Sequence, residues 1–571
     1  MKNYSPNNRD RGHSVALCAI LIVLTALSGN ARSEILANQN KRGLRAFTIE
    51  GVLRLQEDQI DLGTAALILS RDWGTNKTSH VYRRKIDDMA EEIIRRLKSK
   101  HIPKDYRAIG VINAYLFDEL GFSAVKNADD PDDLFLHVVV ERKQGYCLSL
   151  SVLYLAIAER VGLPMYGVVV PGHFFVRYDD GTRRYNIETT SNGAIAPDEH
   201  YIDRFKPPKR LKTLYMRNLT KKQTLGCFFN NLGNCYLDIG DTDRAFDILS
   251  DAVAINPLLS EAHMNLGNIY LQKNVPHKAI SKYQQALAIL GQDEKAFSNL
   301  GTAYMQIGEY RKAESYYKTS LSLSSDNVDV YQNLARALYM QDEDQKAISY
   351  LETALKMNPD NIESILFLGQ IYQKLQETKK AFSQLNKVIA LDTSNASARN
   401  ALGLLYLDAN QAEQAIIQFQ TVIDLQAANA QTYFGMARAY NRLGQTDQEI
   451  HAYENALSLS PGMTAALQNL GNAYLKKGMH DEAISVYQEA ISLNPQNAAV
   501  YYNLGVALAG NQQHQPAISE YLTAIQLDSS RAEAYNGIAI SYYQMGEYES
   551  ARIYARKAKD MGVDVDPTLL K

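Results

Sequence analysis

The feature that most constrains this chain is an internal repeat of 34 residues, whose register does not slip between Gly226 and Lys559. Ten repeats fill this stretch with no insertion between them. A repeat of this length is one pair of helices, which cannot bury its apolar face alone and must stack on its neighbours. The sequence therefore predicts an all-α solenoid for the C-terminal part of the chain and a separate fold before it.

Four slots in each repeat carry the pattern. The first slot is small, which lets two helices approach closely: Gly233, Gly267, Gly301, Gly369, Gly403, Gly471 and Gly505, with Ala335, Ala437 and Ala539 in the other repeats. The second slot is alanine: Ala245, Ala279, Ala313, Ala347, Ala381, Ala415, Ala483, Ala517 and Ala551, with Glu449 as the exception. The third slot is aromatic: Tyr236, Tyr270, Tyr304, Tyr372, Tyr406, Tyr440, Tyr474 and Tyr542, with Leu338 and Leu508 in its place elsewhere. In the fourth slot a proline ends the second helix of four repeats: Pro257, Pro359, Pro461 and Pro495.

This pattern resembles the tetratricopeptide repeat (TPR) family across residues 226–559. The resemblance implies a right-handed superhelix whose concave groove binds proteins or extended peptides. Two residues before the small slot, asparagine recurs at a position that the family turns towards the groove: Asn231, Asn265, Asn299, Asn333, Asn469 and Asn503. This asparagine ladder resembles the one in O-linked N-acetylglucosamine transferases, and an amide can both donate to and accept from a peptide backbone. The alternative is that asparagine is simply common at this slot, which leaves the break at Phe367, Ala401 and Gly435 unexplained.

The N-terminus has the composition of an export signal. Three basic residues come first, Lys2, Arg9 and Arg11, and an uncharged stretch at 13–31 follows, with its apolar centre at 15–27. That centre is short for a bilayer span, which needs ~20 apolar residues, and Gly29 and Ala31 are small enough for signal peptidase. The sequence therefore predicts an exported, periplasmic or otherwise extracytoplasmic protein, with an uncleaved N-terminal membrane anchor as the alternative.

Charge and cysteine content exclude several classes of function. The formal net charge of −3 and a pI near 6.4 give no basic field for nucleic acid. An odd number of cysteines follows the signal, Cys147, Cys227 and Cys235, so at least one thiol is free. Cys227 and Cys235 are predicted to be packing residues on one helix, too far apart for a disulfide. No metal-binding or phosphate-binding motif is present, so no metal and no cofactor is predicted.

The candidate chemistry lies between Tyr146 and Ala194. An apolar stretch after Cys147 predicts a helix that begins at the cysteine, and the N–H groups at a helix N-terminus favour a thiolate. Two strands are predicted at 165–170 and 173–178.

The predicted hairpin brings a histidine and a glutamate together. Asp180 and Gly181 are typical of a two-residue hairpin turn. Counting back from that turn places His173 directly opposite Glu188 on the next strand, close enough for the carboxylate to orient the imidazole.

The order of Cys147, His173 and Glu188, within "GYCLSLSVLYLAIAERVGLP" and "PGHFFVRY", resembles the transglutaminase-like superfamily, in its bacterial branch with an N-terminal helical subdomain. The resemblance implies an α+β, papain-like cysteine fold in which Cys147 is the nucleophile, His173 the general base and Glu188 the orienting acid. The backbone N–H of Cys147 is one candidate oxyanion donor, and Gln144 is either the second or a surface residue. Two positions depart from the superfamily: Glu188 stands where aspartate is usual, and Leu148 where the best-known members have tryptophan.

The predicted organisation has six segments: a signal peptide at 1–31, a linker at 32–46, the transglutaminase-like domain at 47–210, a second linker at 211–225, the TPR solenoid at 226–559 and a tail at 560–571. Two hypotheses about function follow. In one, a cysteine peptidase, amidase or acyl transferase acts on peptide amides that the repeats deliver. In the other, the cysteine domain is inactive and the chain is a scaffold that organises an envelope or secretion assembly.

Overall fold

The computed structural model describes residues 46, 48–73, 79–125, 131–207 and 213–570. The predicted signal peptide, at 1–31, lies outside these residues. The chain divides into two compact units, Met1–Ala337 and Leu338–Lys571, which are described separately below. No helix within the described ranges is both long enough and apolar enough to cross a membrane.

The first unit begins with a helical subdomain around one central helix. Its helices are α1 (Ile49–Leu53), α2 (Leu62–Trp73), α3 (Ser79–Ser99), α4 (Ala108–Asn113, continued by a π-helical stretch Ala114–Glu119), α5 (Leu136–Arg142), α6 (Cys147–Val161) and α7 (Asp198–Phe205). Every residue of α6 except Cys147 and Glu159 is buried, because α2, α3, α5 and the sheet pack around this helix. The apolar composition that predicted a helix after Cys147 is therefore the composition of a helix enclosed on all sides.

A four-stranded antiparallel sheet covers one side of α6. Its strands are β3 (Met165–Val170), β4 (His173–Asp179), β5 (Arg184–Glu188) and β6 (Ala194–Ala196), in that order across the sheet. Two short strands, β1 (Ser123–Ala124) and β2 (Gln144–Gly145), pair in parallel and form a separate sheet. The predicted α+β class of the N-terminal domain is confirmed.

The predicted two-residue turn at Asp180 and Gly181 is wrong. Asp179 pairs with Arg184, so the loop between β4 and β5 has two more residues. The cause is the side chain of Asp180, whose Oδ1 accepts from the backbone N–H groups of Thr182 (2.9 Å) and Arg183 (2.7 Å) and closes a wider loop. A shift of two residues keeps every side chain on its original face of the sheet, whereas a shift of one would have reversed them.

The repeats follow as twenty helices, which confirms the predicted all-α solenoid class. In the first unit they are α8 (Lys221–Asp238), α9 (Thr242–Ile255), α10 (Ser260–Gln272), α11 (Pro276–Leu290), α12 (Glu294–Gln306) and α13 (Tyr310–Leu323), and α14 (Val328–Tyr339) crosses the boundary. In the second unit they are α15 (Asp344–Met357), α16 (Ile362–Lys374), α17 (Thr378–Leu391), α18 (Ala396–Asp408), α19 (Ala412–Asp424), α20 (Ala430–Arg442), α21 (Thr446–Leu459), α22 (Thr464–Lys476), α23 (His480–Leu493), α24 (Ala498–Gly510), α25 (His514–Leu527), α26 (Ala532–Gln544) and α27 (Tyr548–Asp560).

The small slot of the repeat exists because a side chain from the second helix occupies the space above it. A Cβ atom at Gly267 would lie 2.4 Å from the ring of Tyr283, sixteen residues further on. The same contact recurs between Gly301 and Tyr317, Gly403 and Phe419, Gly471 and Tyr487, and Gly505 and Tyr521. The sequence predicted the close approach of the helices but not these rings, which form an aromatic row of their own.

Glu449, the exception in the alanine row, is buried with partners. Its side chain is 1% exposed, Asn441 donates to one carboxylate oxygen at 2.5 Å, and Lys476 lies 3.4 Å from the other. A buried carboxylate needs such partners, because an unpaired charge in the interior is costly. The residues after α27 also pack, since Val565 and Leu569, which belong to the predicted tail, are buried beside Tyr535.

A left-handed residue follows the first helix of every repeat, a regularity that the sequence pattern did not reveal. Its φ is positive in all ten repeats, although only half of the residues are glycine: Gly240, Asn274, Gly308, Asp342, Gln376, Asn410, Gly444, Gly478, Gln512 and Gly546. The left-handed conformation closes the helix and is unfavourable for residues with a Cβ.

Replacing Gln512 by glycine is therefore expected to raise the free energy of unfolding of the second unit by about 0.5–1 kcal/mol. Gln512 has a φ of 60°, which glycine adopts without strain. Gln513→Gly is the matched control, because Gln513 has a φ of −91° and glycine there adds only flexibility. Thermal unfolding followed by circular dichroism measures both variants, and a higher midpoint for Gln513→Gly than for Gln512→Gly would contradict the prediction.

Candidate active site

Cys147 is the first residue of α6, at the point where the chain leaves β2. The residue before it, Tyr146, caps the helix, and its backbone N–H donates to Ser149 Oγ at 2.9 Å. Ser149 is buried and also donates to the carbonyl of Asp133 at 2.8 Å, which fixes the start of the helix. Cys147 is a free, partly exposed thiol at this terminus, where the N–H groups of the first turn have no partner within the helix.

His173 begins β4, directly after a tight turn in which Gly172 has a φ of 70°. Its Nε2 lies 2.7 Å from Glu188 Oε2. Cys147 lies close enough to the ring to raise the pKa of His173. Because Nε2 is engaged by Glu188, Nδ1 is the nitrogen left for Cys147. The ring of Phe205 stacks on the imidazole at a centroid distance of 5.1 Å and holds its plane.

Glu188 ends β5 and is fixed by groups other than the histidine. The backbone N–H of Thr190 donates to Oε1 at 3.2 Å, and the hydroxyl of Tyr201 donates to Oε2 at 3.4 Å. The next residue, Thr189, is buried and its hydroxyl lies 2.9 Å from Ser151 Oγ on α6, which ties the end of β5 to the helix that carries Cys147. The structure thus brings Cys147, His173 and Glu188 together, although Glu188 lies two residues from its predicted register.

Hydrogen bonding and charge shift the pKa values of both partners of Cys147. Burial acts to lower the pKa of His173, but hydrogen bonds to Cys147 and Glu188 and the attraction of their charges outweigh it and raise that pKa from 6.5 to about 9. Burial acts to raise the pKa of Glu188, but the bonds from His173 and Thr190 lower it. At neutral pH the ring is therefore an imidazolium between a carboxylate and the sulfur.

Replacing Glu188 by glutamine is expected to lower the pKa of His173 from about 9 towards 6.5, because the variant loses both the charge and the charged hydrogen bond. The raised pKa contributes stability below about pH 6.5 that is lost as pH rises through about 9. The free energy of unfolding of the first unit should therefore fall over this range, and fall less in Glu188→Gln. Titration of the His173 ring by nuclear magnetic resonance measures the shift. An unchanged pKa of His173 in the variant would show that Glu188 does not stabilise the imidazolium.

A cavity of about 320 Å³ opens beside these residues, and the repeats form one of its walls. Cys147 and His173 line one side, and α8 of the first repeat lines the other with the side chains of Asn230, Asn231 and Asn234. Gln144 does not line this cavity. Its side chain is exposed at β2, and its part in an oxyanion hole stays a prediction.

The two cysteines other than Cys147 both lie on α8, and both also line the cavity. Cys227 is buried and Cys235 is partly buried, and both are free thiols. Burial raises the pKa of Cys227, and raises that of Cys235 to about 11, so both thiols are protonated at neutral pH. Neither therefore competes with Cys147 as a nucleophile. Among the described residues, no group of three or more His, Cys, Asp or Glu side chains is placed to hold a metal ion.

The asparagine ladder is joined to a second row of asparagines. Three ladder residues donate through Nδ2 to an asparagine of the preceding repeat: Asn265 to Asn234 (2.5 Å), Asn299 to Asn268 (3.0 Å) and Asn503 to Asn472 (2.9 Å). Each accepting residue lies three positions after the ladder slot of its own repeat. Sequence reasoning missed this row, although the spacing of 34 residues between Asn234 and Asn268 was a signal for it. These bonds hold the amide groups in one orientation. Fixed amides of this kind can donate to and accept from the backbone of a peptide.

Comparison with known families matches both parts of the chain. The sequence model of the transglutaminase-like superfamily matches residues 80–226. Models of the tetratricopeptide repeat match 228–257, 262–296, 293–360, 400–464, 471–512 and 502–562. The chain carries a transglutaminase-like domain followed by tetratricopeptide repeats. Both predicted resemblances are therefore confirmed, and the α8 wall of the cavity is the first TPR.

Proteins similar to part of this chain occur in bacteria and in animals. A UPF0162 protein of Xylella fastidiosa is 28% identical over 34% of this chain and 70% of its own length. F-box only protein 21 of Homo sapiens is 30% identical over 18% of this chain and 16% of its own length. Among solved structures, the TPR protein YrrB is 21% identical and covers 32% of this chain and 95% of its own, with a TM-score of 0.31.

Proposed function

We propose that this chain is an exported TPR scaffold whose transglutaminase-like domain is a cysteine peptidase, amidase or acyl transferase acting on peptide amides. The observation that carries the proposal is one shared cavity, lined by Cys147 and His173 on one side and by Asn231 of the first TPR on the other. A peptide held along the asparagines of the first repeats reaches the cysteine without leaving the first unit.

The reaction needs only groups of this chain and the substrate. The Cys147 thiolate attacks the carbonyl carbon of an amide, and the carbonyl oxygen gains negative charge beside the N–H groups at the start of α6. The imidazolium of His173 gives its proton to the leaving nitrogen as the C–N bond breaks, and a thioester on Cys147 remains. Water, or a second amine, then loses a proton to His173 and attacks the thioester, which frees the thiolate. Glu188 keeps the ring oriented throughout and stabilises its protonated form.

The test compares the full chain with its Cys147→Ala variant on a library of N-acetylated peptide amides at neutral pH, with mass spectrometry as the readout. We expect hydrolysed or amine-exchanged peptides from the parent and none from the variant, while both bind the same peptides. Biotinylated pentylamine added to the reaction separates transfer from hydrolysis. Identical behaviour of parent and variant in both assays would leave the alternative, an inactive scaffold that organises an envelope or secretion assembly.

Export is the part of the proposal that rests on sequence composition alone, through the basic and apolar segments within residues 1–31. Fractionation of cells that express the full chain, with N-terminal sequencing of the product, tests it. A mature N-terminus just after Ala31 in the periplasmic fraction supports cleavage, and a full-length membrane-bound product supports the anchor. A full-length cytosolic product would contradict export.

A further inference from the structure

The wall that the repeats add to the cavity contains hydrogen-bond acceptors and negative charge. Besides the asparagines of α8, the cavity is lined by Glu261, at the start of α10, and by Asp238, at the end of α8. Asp238 is exposed at the rim, and Glu261 is partly buried deeper in the wall. No lysine, arginine or histidine within 213–570 forms an ion pair with either carboxylate.

Glu261 is held in place by a neutral group. Tyr215 Oη donates to its Oε1 at 2.8 Å, and the segment that carries Tyr215 is fixed to β3 by a bond from the N–H of Met216 to the carbonyl of Val169 at 3.1 Å. Burial raises the pKa of Glu261, and repulsion from Asp293 adds to the effect. A cation in the cavity would offset both the burial of Glu261 and its repulsion from Asp293, because it would compensate the buried negative charge.

Asn230 supplies a second, independent observation. Its side chain is only 6% exposed and lines the same cavity, and its Oδ1 has no hydrogen-bond partner among the described residues. A buried acceptor without a partner costs free energy, so such groups are usually satisfied by water or a ligand. The ligand that Asn230 and Glu261 could share must donate hydrogen bonds to both.

The ordinary role of an acidic residue at this slot does not explain Glu261. Glu363 occupies the same slot three repeats later, where a carboxylate in the first turn favours the helix dipole. Glu363 is exposed to solvent, whereas Glu261 faces a cavity and is held by Tyr215. The environment of this slot therefore differs between the repeat of Glu363 and the repeat that meets the cysteine domain.

We propose that Glu261 and Asn230 form a subsite for a primary ammonium group of the substrate, next to the amide that Cys147 attacks. This inference rests on the proposed function, since it places the subsite beside the nucleophile. The carboxylate of Glu261 pairs with the cation, Asn230 Oδ1 accepts one of its N–H bonds, and Asp238 at the rim attracts it. The substrate class is a peptide or amide that bears an alkylammonium chain. Glu261 and Asn230 are specificity residues and take no part in bond breaking.

The test uses two electrophiles of equal length, the chloroacetamide of putrescine, which carries an ammonium group, and the chloroacetamide of aminobutanol, which carries a hydroxyl. The rate of labelling of Cys147 by each is followed by mass spectrometry in the full chain. We expect the ammonium reagent to react about tenfold faster, a preference worth about 1.4 kcal/mol. Glu261→Gln should remove the preference, and Glu363→Gln, the matched control at the same repeat slot, should keep it.

A measurement on the unmodified chain guards against misfolding of the variant. Butylammonium chloride should slow the reaction of the neutral reagent with Cys147, and butanol should not. Equal rates for the two reagents in the parent, or a preference that survives Glu261→Gln, would overturn the subsite alone. If neither reagent labels Cys147, the proposed role of Cys147 as nucleophile is contradicted, and the subsite proposal, which depends on it, is contradicted too.

Discussion

Replacing His173 by alanine is expected to slow the alkylation of Cys147 by iodoacetamide about 100-fold at pH 6. The imidazolium of His173, with its pKa raised to about 9, stabilises the thiolate at this pH. An ordinary cysteine thiol, with a pKa of ~8.5, is ionised to below about 1% at pH 6, and only the thiolate is a nucleophile. Mass spectrometry of the Cys147 peptide after timed labelling measures the rate.

His200→Ala is the matched control for this variant. His200 is an exposed histidine on α7, and its ring contacts Tyr201 edge-on without touching Cys147. Its replacement should leave the labelling rate within a factor of about two of the parent's. An alkylation rate for His173→Ala equal to that of His200→Ala would mean that the imidazole does not activate the sulfur.

Replacing Arg160 by alanine is expected to lower the free energy of unfolding of the first unit by about 3–5 kcal/mol. The side chain of Arg160, on the last turn of α6, is 2% exposed, and its guanidinium lies 3.2 Å from Asp61 Oδ2 and 2.5 Å from Asp87 Oδ1. The variant leaves Asp61, which is 5% exposed, as a buried carboxylate without its cation. The only tryptophan of the chain, Trp73, lies in α2, so its fluorescence during urea unfolding reports on this unit.

Arg184→Ala is the matched control, because it shows how much free energy of unfolding is lost with an ion pair at the surface. Arg184 is 54% exposed and lies 3.0 Å from Asp179, so its loss should cost below about 1 kcal/mol. Equal urea midpoints for Arg160→Ala and Arg184→Ala would contradict the view that the cysteine helix depends on its buried cation.

The repeats were predictable because their signal is periodic. A constraint that recurs ten times, such as the small slot at Gly267 or the alanine row, stands out against the variable positions between. The left-handed slot recurs as regularly, yet it was missed, because glycine, asparagine, aspartate and glutamine all occupy it. A conformation that several residue types tolerate leaves a weak compositional signal.

The cysteine site was predictable in its residues but not in its geometry. The face of each strand follows from alternation, so His173 and Glu188 were placed on one face even though the turn was wrong. The length of the loop depended on how the Asp180 side chain binds two backbone N–H groups, which no count of turn residues shows. The α8 wall could not be predicted at all, because it depends on how the first TPR packs against the sheet.

The labelling rate of Cys147 in the unmodified full chain, followed with iodoacetamide from about pH 5 to about pH 10, is the most direct test of an activated cysteine in this domain. A protonated His173 beside the sulfur predicts a rate that rises by less than tenfold with each pH unit through neutrality and whose pH dependence changes as His173 loses its proton near pH 9. A rate that rises about tenfold with each pH unit through the same range, as it does for an unassisted thiol, would contradict the account.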